Sequence, residues 1–257
     1  AIDLTSDDAD ETARLLAAQR IDCAFIALHG YFGEDGQVQA ILERLHIPYT
    51  GSNAEASRNA MDKRAARELF SAAGLPVPQA VSLSRRYVPG AALPHVPFAL
   101  PWVVKPVRQG SSIGLSIIED AGLLPQALQV AFSFDRQVLI EEFIGGRELT
   151  VGILDGRALP VIEIVTTNRF FDYQAKYQTG FTEYKVPAQL DAALQRRVQA
   201  AALAAHKAVG CYGYSRVDVI LAQDGTPIVL EVNTIPGMTQ TSLLPKAARV
   251  NGMDFSS

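Results

Sequence analysis

The sequence predicts an α/β protein, because short apolar runs typical of β-strands alternate along the chain with segments whose apolar residues recur at helical spacing. Of the 257 residues, 48% are apolar and 19% are charged, which is ordinary globular composition. This length is enough for one large domain or two to three smaller ones. The composition therefore excludes a disordered or fibrous protein.

The charge balance argues against binding to nucleic acid or to an anionic membrane. The chain has 23 Lys and Arg against 27 Asp and Glu, for a net charge of -4, so no global basic surface exists. No apolar run approaches the ~18 residues that span a bilayer, and residues 1–10 lack the layout of a signal peptide. We expect a soluble, cytoplasmic protein, with Cys23 and Cys211 as buried free thiols.

The predicted elements of the first third of the chain are three helices and a strand. The helices lie at about Asp10–Gln19, at Gln37–Leu45 and from Ser57 or Asp62 to Ala73, and the strand is Cys23–Leu28. Gly74 is the expected residue after the third helix, because the Leu-Pro-Val-Pro that follows cannot continue it. We place a domain boundary near residues 59–61.

The remaining elements are predicted to form two further α/β units. They are a strand at Trp102–Val104, a helix at Leu123–Phe132, a hairpin of Val138–Phe143 with Glu148–Leu154, a loop-like stretch from Thr166 to Pro187, a helix from Leu190 to Val209 closed by Gly210, and a final hairpin within Ser215–Asn233.

The register of the final hairpin predicts a polar site. Asp224-Gly225 between two apolar runs is a strong hairpin signal. If these two residues form the turn, Asp218 lies opposite Glu231 and Arg216 lies opposite Asn233. The period-two alternation of strands then places all four side chains on one face.

Two carboxylates facing each other across this ladder indicate a bound cation. At about 5 Å they would repel by roughly 3 kcal/mol at an effective dielectric constant of 20. A divalent ion relieves that repulsion, and two carboxylates with an amide oxygen suit Mg²⁺ better than Zn²⁺. The alternatives are a solvated polar face in which Arg216 bridges the acids, or a longer turn that shifts the register.

Two glycine-rich segments are candidate ligand sites. Residues 108–114, with Ser111 and Ser112, follow a strand that ends in Lys105, and their backbone amides suit a polyphosphate, although such a loop is more often an ordinary turn. Residues 29–36 lie between a strand and a helix, where α/β folds bind ligands. Acidic residues there favour a substrate amine over a phosphate, and His29 is alternatively a packed histidine at a strand end.

These segments belong to an ordered set of motifs that resembles a known family. The motifs are His29-Gly30-x-x-Gly33-Glu34-Asp35-Gly36, Met61-Asp62-Lys63, Val104-Lys105-Pro106 with Gly110-Ser111-Ser112-x-Gly114, Phe171-Asp172-Tyr173-x-Ala175-Lys176-Tyr177, Arg216-Val217-Asp218 and Glu231-Val232-Asn233-Thr234-x-Pro236-Gly237-Met238-Thr239. In this order they resemble the D-alanine–D-alanine ligases of the ATP-grasp superfamily, from about residue 22 to the last residue.

The resemblance implies an ATP-grasp fold of three α/β domains, with ATP between the central and C-terminal ones. The implied domains are 1–60, which is incomplete, 61–141 and 142–257. The implied ATP-binding residues are Lys63, Lys105, Ser111, Ser112 and Lys176 at the phosphates, Glu141 at adenine and Glu148 at ribose. By sequence alone, the two glutamates are equally polar residues of an ordinary hairpin.

The resemblance also implies a reaction in which the carboxylate of one D-alanine takes the γ-phosphoryl group of ATP and the amine of a second D-alanine displaces the phosphate. Arg216 and the Gly237 backbone would stabilise the tetrahedral adduct, and His29 and Ser242 would contact the first and second substrate. The implied ligands of Mg²⁺ or Mn²⁺ are Asp218, Glu231 and Asn233. The stretch 170–185 would be a lid in which Tyr177 hydrogen-bonds Ser111, and the Lys176-Tyr177 pair favours D-alanine as second substrate.

The chain departs from the family pattern at its two ends. It has no first βα unit with a Gly-rich turn and a Ser-x-Glu element; Ala1-Ile2-Asp3-Leu4 matches the family's second strand instead, and the chain stops inside an expected terminal helix. We expect the sequence to be an incomplete record of a longer ligase, which by resemblance is a homodimer. The alternatives are a catalytically silent ATP-binding homologue and an ATP-grasp ligase for a different amino or hydroxy acid.

Overall fold

The computed structural model describes residues 1–84, 92–166 and 182–256 and contains helices and two antiparallel sheets in this part of the chain. The helices are α1 Ala9–Ala17, α2 Gln37–Arg44, α3 Ala54–Met61, α4 Lys63–Ala72, α5 Leu124–Phe132, α6 Ala192–Val209 and α7 Leu243–Val250. The strands are β1 Ala80–Leu83, β2 Trp102–Pro106, β3 Ser116–Ile118, β4 Val138–Glu142, β5 Gly146–Leu154, β6 Arg157–Ala158, β7 Ile162–Thr166, β8 Thr182–Lys185, β9 Tyr214–Ala222 and β10 Pro227–Asn233. None of these helices is long and apolar enough to cross a membrane.

The smaller sheet has four strands in the order β1-β4-β2-β3, all antiparallel. Helix α5 packs on one face, where Leu128, Val104 and Ile140 are fully buried. The predicted strand at 102–104 and helix at 123–132 are both confirmed, except that residues 121–123 form a short 3₁₀ turn before α5. This sheet positions Lys105 on β2 and Glu141 on β4.

The larger sheet runs in the order β10-β9-β5-β7-β8, with β6 paired to β5. Its core is closed by α6, whose Ala202 and Ala205 are fully buried against strand residues such as Val217 and Val229, and by Phe70 of α4. The predicted helix 190–209 is confirmed, and Gly210 closes it in the left-handed conformation, with φ of +84°. The predicted loop from Thr166 to Pro187 contains β8, which pairs with β7.

The N-terminal residues form a third cluster around α1 and α2. Leu16, Val38 and Leu42 are buried there together with Ile26, and Ile235 from the segment after β10 packs against them. This contact holds the N-terminal cluster beside the larger sheet.

The predicted strand Cys23–Leu28 is wrong. Only Ala24 is paired, in a single parallel bridge to Tyr49, with hydrogen bonds from Ala24 N to Pro48 O (2.8 Å) and from Thr50 N to Ala24 O (3.0 Å). A strand needs a continuous ladder, and the described residues supply only this one bridge. Both cysteines are free, as predicted. Cys23 is exposed, so its predicted burial is wrong, whereas Cys211 packs partly buried against the core and burial raises the pKa of its thiol to about 11.

The predicted helix from Ser57 or Asp62 to Ala73 is two helices that meet at Asp62. The Asp62 carboxylate accepts hydrogen bonds from the backbone of Arg64 (3.1 Å) and Ala65 (3.0 Å), so Asp62 is the N-cap of α4 while it also ends α3. Gly74, with φ of +74°, follows the last turn as predicted.

The predicted hairpin of Val138–Phe143 with Glu148–Leu154 is wrong, because the two strands lie in different sheets. Strand β4 is paired on both edges, with β1 and β2, and β5 is paired on both edges, with β9 and β7. Each strand therefore has its hydrogen-bonding partners elsewhere, and the short link between them passes from one sheet to the other.

Candidate active site between the two sheets

The final hairpin has the register that the sequence predicts at its functional end, although its turn differs. Asp218 is opposite Glu231 and Arg216 is opposite Asn233. The turn has three residues, closed by a hydrogen bond from Ala222 N to Thr226 O (3.0 Å), with Gly225 at φ of +80°. This longer turn shifts the register by one residue, and a bulge at Leu230 shifts it back.

The Asp218 carboxylate is held by groups from two strands. Arg216 donates from Nε to Oδ1 (3.0 Å) and from Nη2 to Oδ2 (2.9 Å), a bidentate pair. The buried Thr150 of β5, opposite Asp218 in the ladder, donates from its hydroxyl to Oδ1 (2.6 Å). These bonds fix the orientation of the carboxylate. The alternative of a solvated face on which Arg216 bridges both acids is wrong in its solvation, because Asp218 is buried, and the hydrogen bonds of Arg216 go to Asp218.

Arg216 remains protonated in this setting. Burial lowers the pKa of its guanidinium group, but the attraction and hydrogen bonds of Asp218, with smaller contributions from Glu231 and Glu34, outweigh burial and raise the pKa above its ordinary value. A permanent cation therefore lies beside the two acids.

Lys63 joins the acidic hairpin to the Gly-Ser loop. It is the first residue of α4, and its Nζ donates to Gln109 O (2.6 Å) and lies 3.8 Å from Oε2 of Glu231. Asn233 Oδ1 accepts a hydrogen bond from Ile235 N (2.9 Å), which orients its amide group.

The Gly-Ser loop has an unusual backbone. Ser111 and Ser112 have φ of +55° and +59°, a left-handed conformation that costs a residue with a side chain roughly 1–2 kcal/mol. Gly114 is also left-handed, and a Cβ there would lie 2.6 Å from the Phe134 ring and 2.9 Å from Pro106. Consecutive strained residues are typical of functional loops, where the surrounding structure enforces them.

Behind the loop, a buried carboxylate lies between two cations. Lys105 Nζ is 2.6 Å from Glu141 Oε2, and Arg67 Nη1 of α4 is 3.3 Å from Glu141 Oε1. Their side chains are only 11%, 15% and 5% exposed for Lys105, Arg67 and Glu141.

Two adjoining cavities open between the sheets. The first, of about 410 Å³, lies between the smaller and the larger sheet, and its lining includes Lys63, Lys105, Ser112, Glu141, Phe143 and Glu148. The second, of about 660 Å³, faces the N-terminal cluster and α7, and its lining includes His29, Glu34, Ser111, Arg216, Asn233 and Ser242. Asp218, Glu231 and Glu148 line both cavities.

Residues 29–34 and the start of α7 form two opposite parts of the lining of the second cavity. Glu34 accepts a hydrogen bond from Gly30 N (2.7 Å), and its Oε1 lies 3.5 Å from His29 Nδ1. On the other side, the Ser242 hydroxyl accepts from Thr239 N (3.1 Å) at the N-terminus of α7.

Close approach of α7 depends on Gly152. This residue lies opposite Arg216 in the sheet, and a Cβ there would lie 2.5 Å from Leu244 Cδ1. The absence of a side chain therefore lets α7 pack against the face that carries Arg216.

The structure brings most of the sequence-predicted site residues to these two cavities. They are His29, Lys63, Lys105, Ser111, Ser112, Glu141, Glu148, Arg216, Asp218, Glu231, Asn233, Gly237 and Ser242. Lys176 and Tyr177, and most of the predicted lid 170–185, lie outside the described residues.

Sequence reasoning missed Thr150 and Arg67. The signal for Thr150 was a polar residue inside the apolar run Leu149–Val151, which its role beside Asp218 now explains. Arg67 gave no signal, because its partner Glu141 is 74 residues away along the chain.

The donor set of the hairpin fits a hard divalent cation. Two carboxylates and an amide oxygen, with no thiolate or imidazole, are donors that Mg²⁺ accepts together with phosphate oxygens. Among the described residues, no group of three or more His, Cys, Asp or Glu side chains is arranged to bind a metal. A cation at the hairpin therefore needs Asn233 or a ligand to complete its coordination.

Comparison with known proteins points to one family. Residues 3–52 match the family model for the D-ala D-ala ligase N-terminus, and residues 69–257 match the model for its C-terminus. A D-alanine–D-alanine ligase of Anaeromyxobacter sp. (strain K) is 47% identical over 245 residues, which is 95% of this chain and 80% of that protein. The corresponding ligase of Geotalea uraniireducens is 47% identical over 254 residues, covering 98% and 81%.

Solved structures that superpose on this chain are also ligases of this kind. The D-alanine–D-alanine ligase of Bacillus anthracis in complex with ATP superposes with a TM-score of 0.81 at 38% identity and covers 98% of this chain and 80% of that one. The VanG D-Ala:D-Ser ligase of Enterococcus faecalis superposes with a TM-score of 0.83 at 36% identity, covering 93% and 71%.

Proposed function

The chain belongs to the D-alanine–D-alanine ligase family and has its ATP-grasp fold, and from this membership we propose that it joins two D-alanine molecules to D-alanyl-D-alanine with conversion of ATP to ADP and phosphate. The product is a precursor for peptidoglycan synthesis. A carboxylate oxygen of the first D-alanine attacks the γ-phosphorus, and the bond to the bridging oxygen of ADP breaks. The amine of the second D-alanine, having lost a proton, attacks the acyl carbon and phosphate leaves.

One observation carries this proposal. Asp218 and Glu231 line both cavities, so a nucleotide in the first and an amino acid in the second meet at the same pair of carboxylates. Phosphoryl transfer between two ligands needs such a junction, because attacking and leaving oxygens must lie on opposite sides of one phosphorus atom.

ATP is assigned to the first cavity. Lys63, Lys105 and the Ser111-Ser112 loop would contact the phosphates, as would Lys176, with Glu141 near adenine and Glu148 near ribose. The proximity of Lys63, Glu231 and the Gly-Ser loop supports this assignment.

Asp218, Glu231 and Asn233 would hold Mg²⁺ or Mn²⁺. The ion would neutralise charge on the phosphates and polarise the transferred group. The bidentate Arg216 and the hydroxyl of Thr150 keep the Asp218 carboxylate oriented for this role.

The amino acids are assigned to the second cavity. His29 would lie by the first D-alanine, and Ser242 at the start of α7 would bind the carboxylate of the second, where the helix dipole favours a negative charge. Arg216 and the Gly237 backbone N–H would stabilise the oxyanion of the tetrahedral adduct. Tyr177 with Ser111 would help to exclude water, which would otherwise hydrolyse the acyl phosphate.

We also propose three domains, 1–60, 61–141 and 142–257, a homodimer, and a cytoplasmic location. The position of the two sheets within 80–142 and 146–233 supports the division of the last two domains.

The test is phosphate release from Mg-ATP with and without D-alanine, with the product identified by mass spectrometry. D-alanine-dependent release with D-alanyl-D-alanine as product is the expected result. Nucleotide binding without turnover, or a product containing another acid in preference to D-alanine, would contradict the proposal.

A further inference from the structure

The two cations at Glu141 approach it from different sides. Lys105, on β2, lines the first cavity together with Glu141, whereas Arg67, on α4, is not part of that lining. Each cation contacts a different oxygen of the carboxylate, Lys105 at Oε2 and Arg67 at Oε1. The carboxylate therefore has one counter-ion at the cavity and a second one behind it.

One counter-ion is sufficient to neutralise a buried carboxylate, and losing the last one is strongly unfavourable. Neighbouring acids of the same cavity have partners of their own: Glu163 is paired with Arg147, and Glu142 accepts two hydrogen bonds from Gln79. Because Arg67 already neutralises Glu141, Lys105 is a second positive charge that Glu141 does not need to remain paired.

The chemistry of the two side chains matches this division. Lysine carries a compact ammonium group on a flexible four-carbon stem and binds phosphate as a point charge. Arginine is planar and is suited to remain fixed on a buried carboxylate. Phe70, one turn further along α4 and fully buried in the core, anchors the helix that carries Arg67.

We propose that Arg67 is a positioning residue that remains on Glu141 and thereby allows Lys105 to move from this carboxylate to a phosphate of the nucleotide. The inference rests on the proposed function, in which the first cavity binds ATP. Without Arg67, movement of Lys105 would leave Glu141 buried and unpaired, so Lys105 stays on Glu141 and the phosphates lose one charged contact.

The experiment compares the affinity for ATP with the affinity for adenosine, which has no phosphate, by calorimetry on the full chain. In Arg67→Met we expect the dissociation constant for ATP to rise about 10-fold or more, the effect of one charged hydrogen bond. The dissociation constant for adenosine should change less than about 2-fold, because Glu141 stays paired with Lys105. Arg67→Lys should recover most of the affinity for ATP.

The matched control is Arg64→Met on the same helix. Within the described residues, the side chain of Arg64 pairs with Glu68 at 3.5 Å on the exposed surface, so this variant should bind both ligands like the unchanged protein. If Arg67→Met does not fold, Arg67→Gln, which keeps a donor but no charge, takes its place with the same expected loss.

Parallel losses for ATP and adenosine would show that Arg67 is merely structural and would overturn the inference, as would unchanged binding of ATP. In both cases the unchanged protein still binds ATP, and the proposed function stands. If the unchanged protein binds no ATP, the proposed function fails, and the inference fails with it.

Discussion

Glu231 is the residue whose replacement tests the metal assignment most directly. It lies opposite Asp218 and lines both cavities. Glu231→Gln keeps the size of the side chain but removes the charge of a proposed metal ligand, so we expect Mg-dependent turnover to fall about 100-fold or more while the thermal midpoint changes little. Initial rates over a range of Mg²⁺ concentrations and a melting curve are the measurements. Activity close to that of the unchanged protein would remove Glu231 from the metal site.

Thr150 is expected to act through Asp218. Thr150→Val removes a buried hydroxyl that donates to Asp218 Oδ1 (2.6 Å). Mutation of a residue that hydrogen-bonds a metal ligand typically lowers metal affinity 10- to 100-fold, and Asp218 is the proposed ligand here. We expect Mn²⁺ binding in the presence of ATP, followed by electron paramagnetic resonance, to weaken about 10-fold, and Thr150→Ser to restore it.

The control for Thr150 is Thr12→Val. Thr12 is as deeply buried and donates its hydroxyl to Ser6 O (3.2 Å), and neither residue lines either of the two cavities. The Thr12→Val variant should have a lower free energy of unfolding than the unchanged protein and the same affinity for the metal. Equal metal affinity of Thr150→Val and Thr12→Val would mean that Thr150 does not orient Asp218.

At the scale of elements, the break between α3 and α4 places Lys63 at the cavity. Asp62 caps α4 directly before this lysine, so Asp62→Ala should lower the free energy of unfolding by about 1 kcal/mol and also raise the KM for ATP.

The control is the cap of α3. Asn53 accepts a hydrogen bond from Ala56 N (2.8 Å), and Asn53→Ala should lower the free energy of unfolding by a similar amount with the KM for ATP unchanged. Urea unfolding and steady-state kinetics separate the two effects. Equal KM values for both variants would refute a role for the cap in placing Lys63.

The hairpin and the strands β4 and β5 show what a sequence pattern specifies. The pairing of Asp218 with Glu231 was predicted because turn residues and alternation are local signals. The bulge at Leu230 was not predicted, and it compensates for a turn one residue longer than expected. The pairing of β4 with β5 was wrong because both have apolar residues on each face, and the choice of partner depends on strands far away in the chain.

For the molecule as a whole, the stability at acid pH should depend on Glu163. The hydrogen bonds from Arg147 lower the pKa of this carboxyl group and outweigh burial, which acts in the opposite direction. A group with a lowered pKa in the folded state stabilises the fold above its unfolded pKa, and this contribution is lost as the pH falls towards the folded pKa. We therefore expect the free energy of unfolding to decrease as the pH is lowered from about 5, with part of the decrease due to Glu163.

Urea titrations at several pH values test this contribution. Glu163→Gln should be less stable at neutral pH and lose less stability on acidification, whereas Glu68→Gln, at an exposed ion pair, should follow the unchanged protein. If Glu163→Gln and the unchanged protein give parallel curves, the Arg147 pair does not contribute to acid sensitivity.

The organisation of the whole molecule was predictable mainly from the ordered motifs, and the geometry of the cavities was not. His29, Lys105 and Ser242 lie far apart in sequence, and only the packing of three clusters brings them to adjoining cavities. The exposed Cys23 shows that an apolar run alone does not predict burial. The run that contains Cys23 has one bridge to a neighbouring segment, at Ala24, and no strand in the described part of the chain covers Cys23.

Asp218 and Glu231 form a wall common to both cavities, so the two proposed ligands, a nucleotide and an amino acid, are not thermodynamically independent. A bound triphosphate changes the electrostatic field that an amino acid experiences across the same two carboxylates, and the amino acid changes the field at the triphosphate. By linkage, each must alter the affinity of the other by the same factor. An inhibitor designed for one cavity will therefore have a potency that varies with the concentration of the ligand in the other.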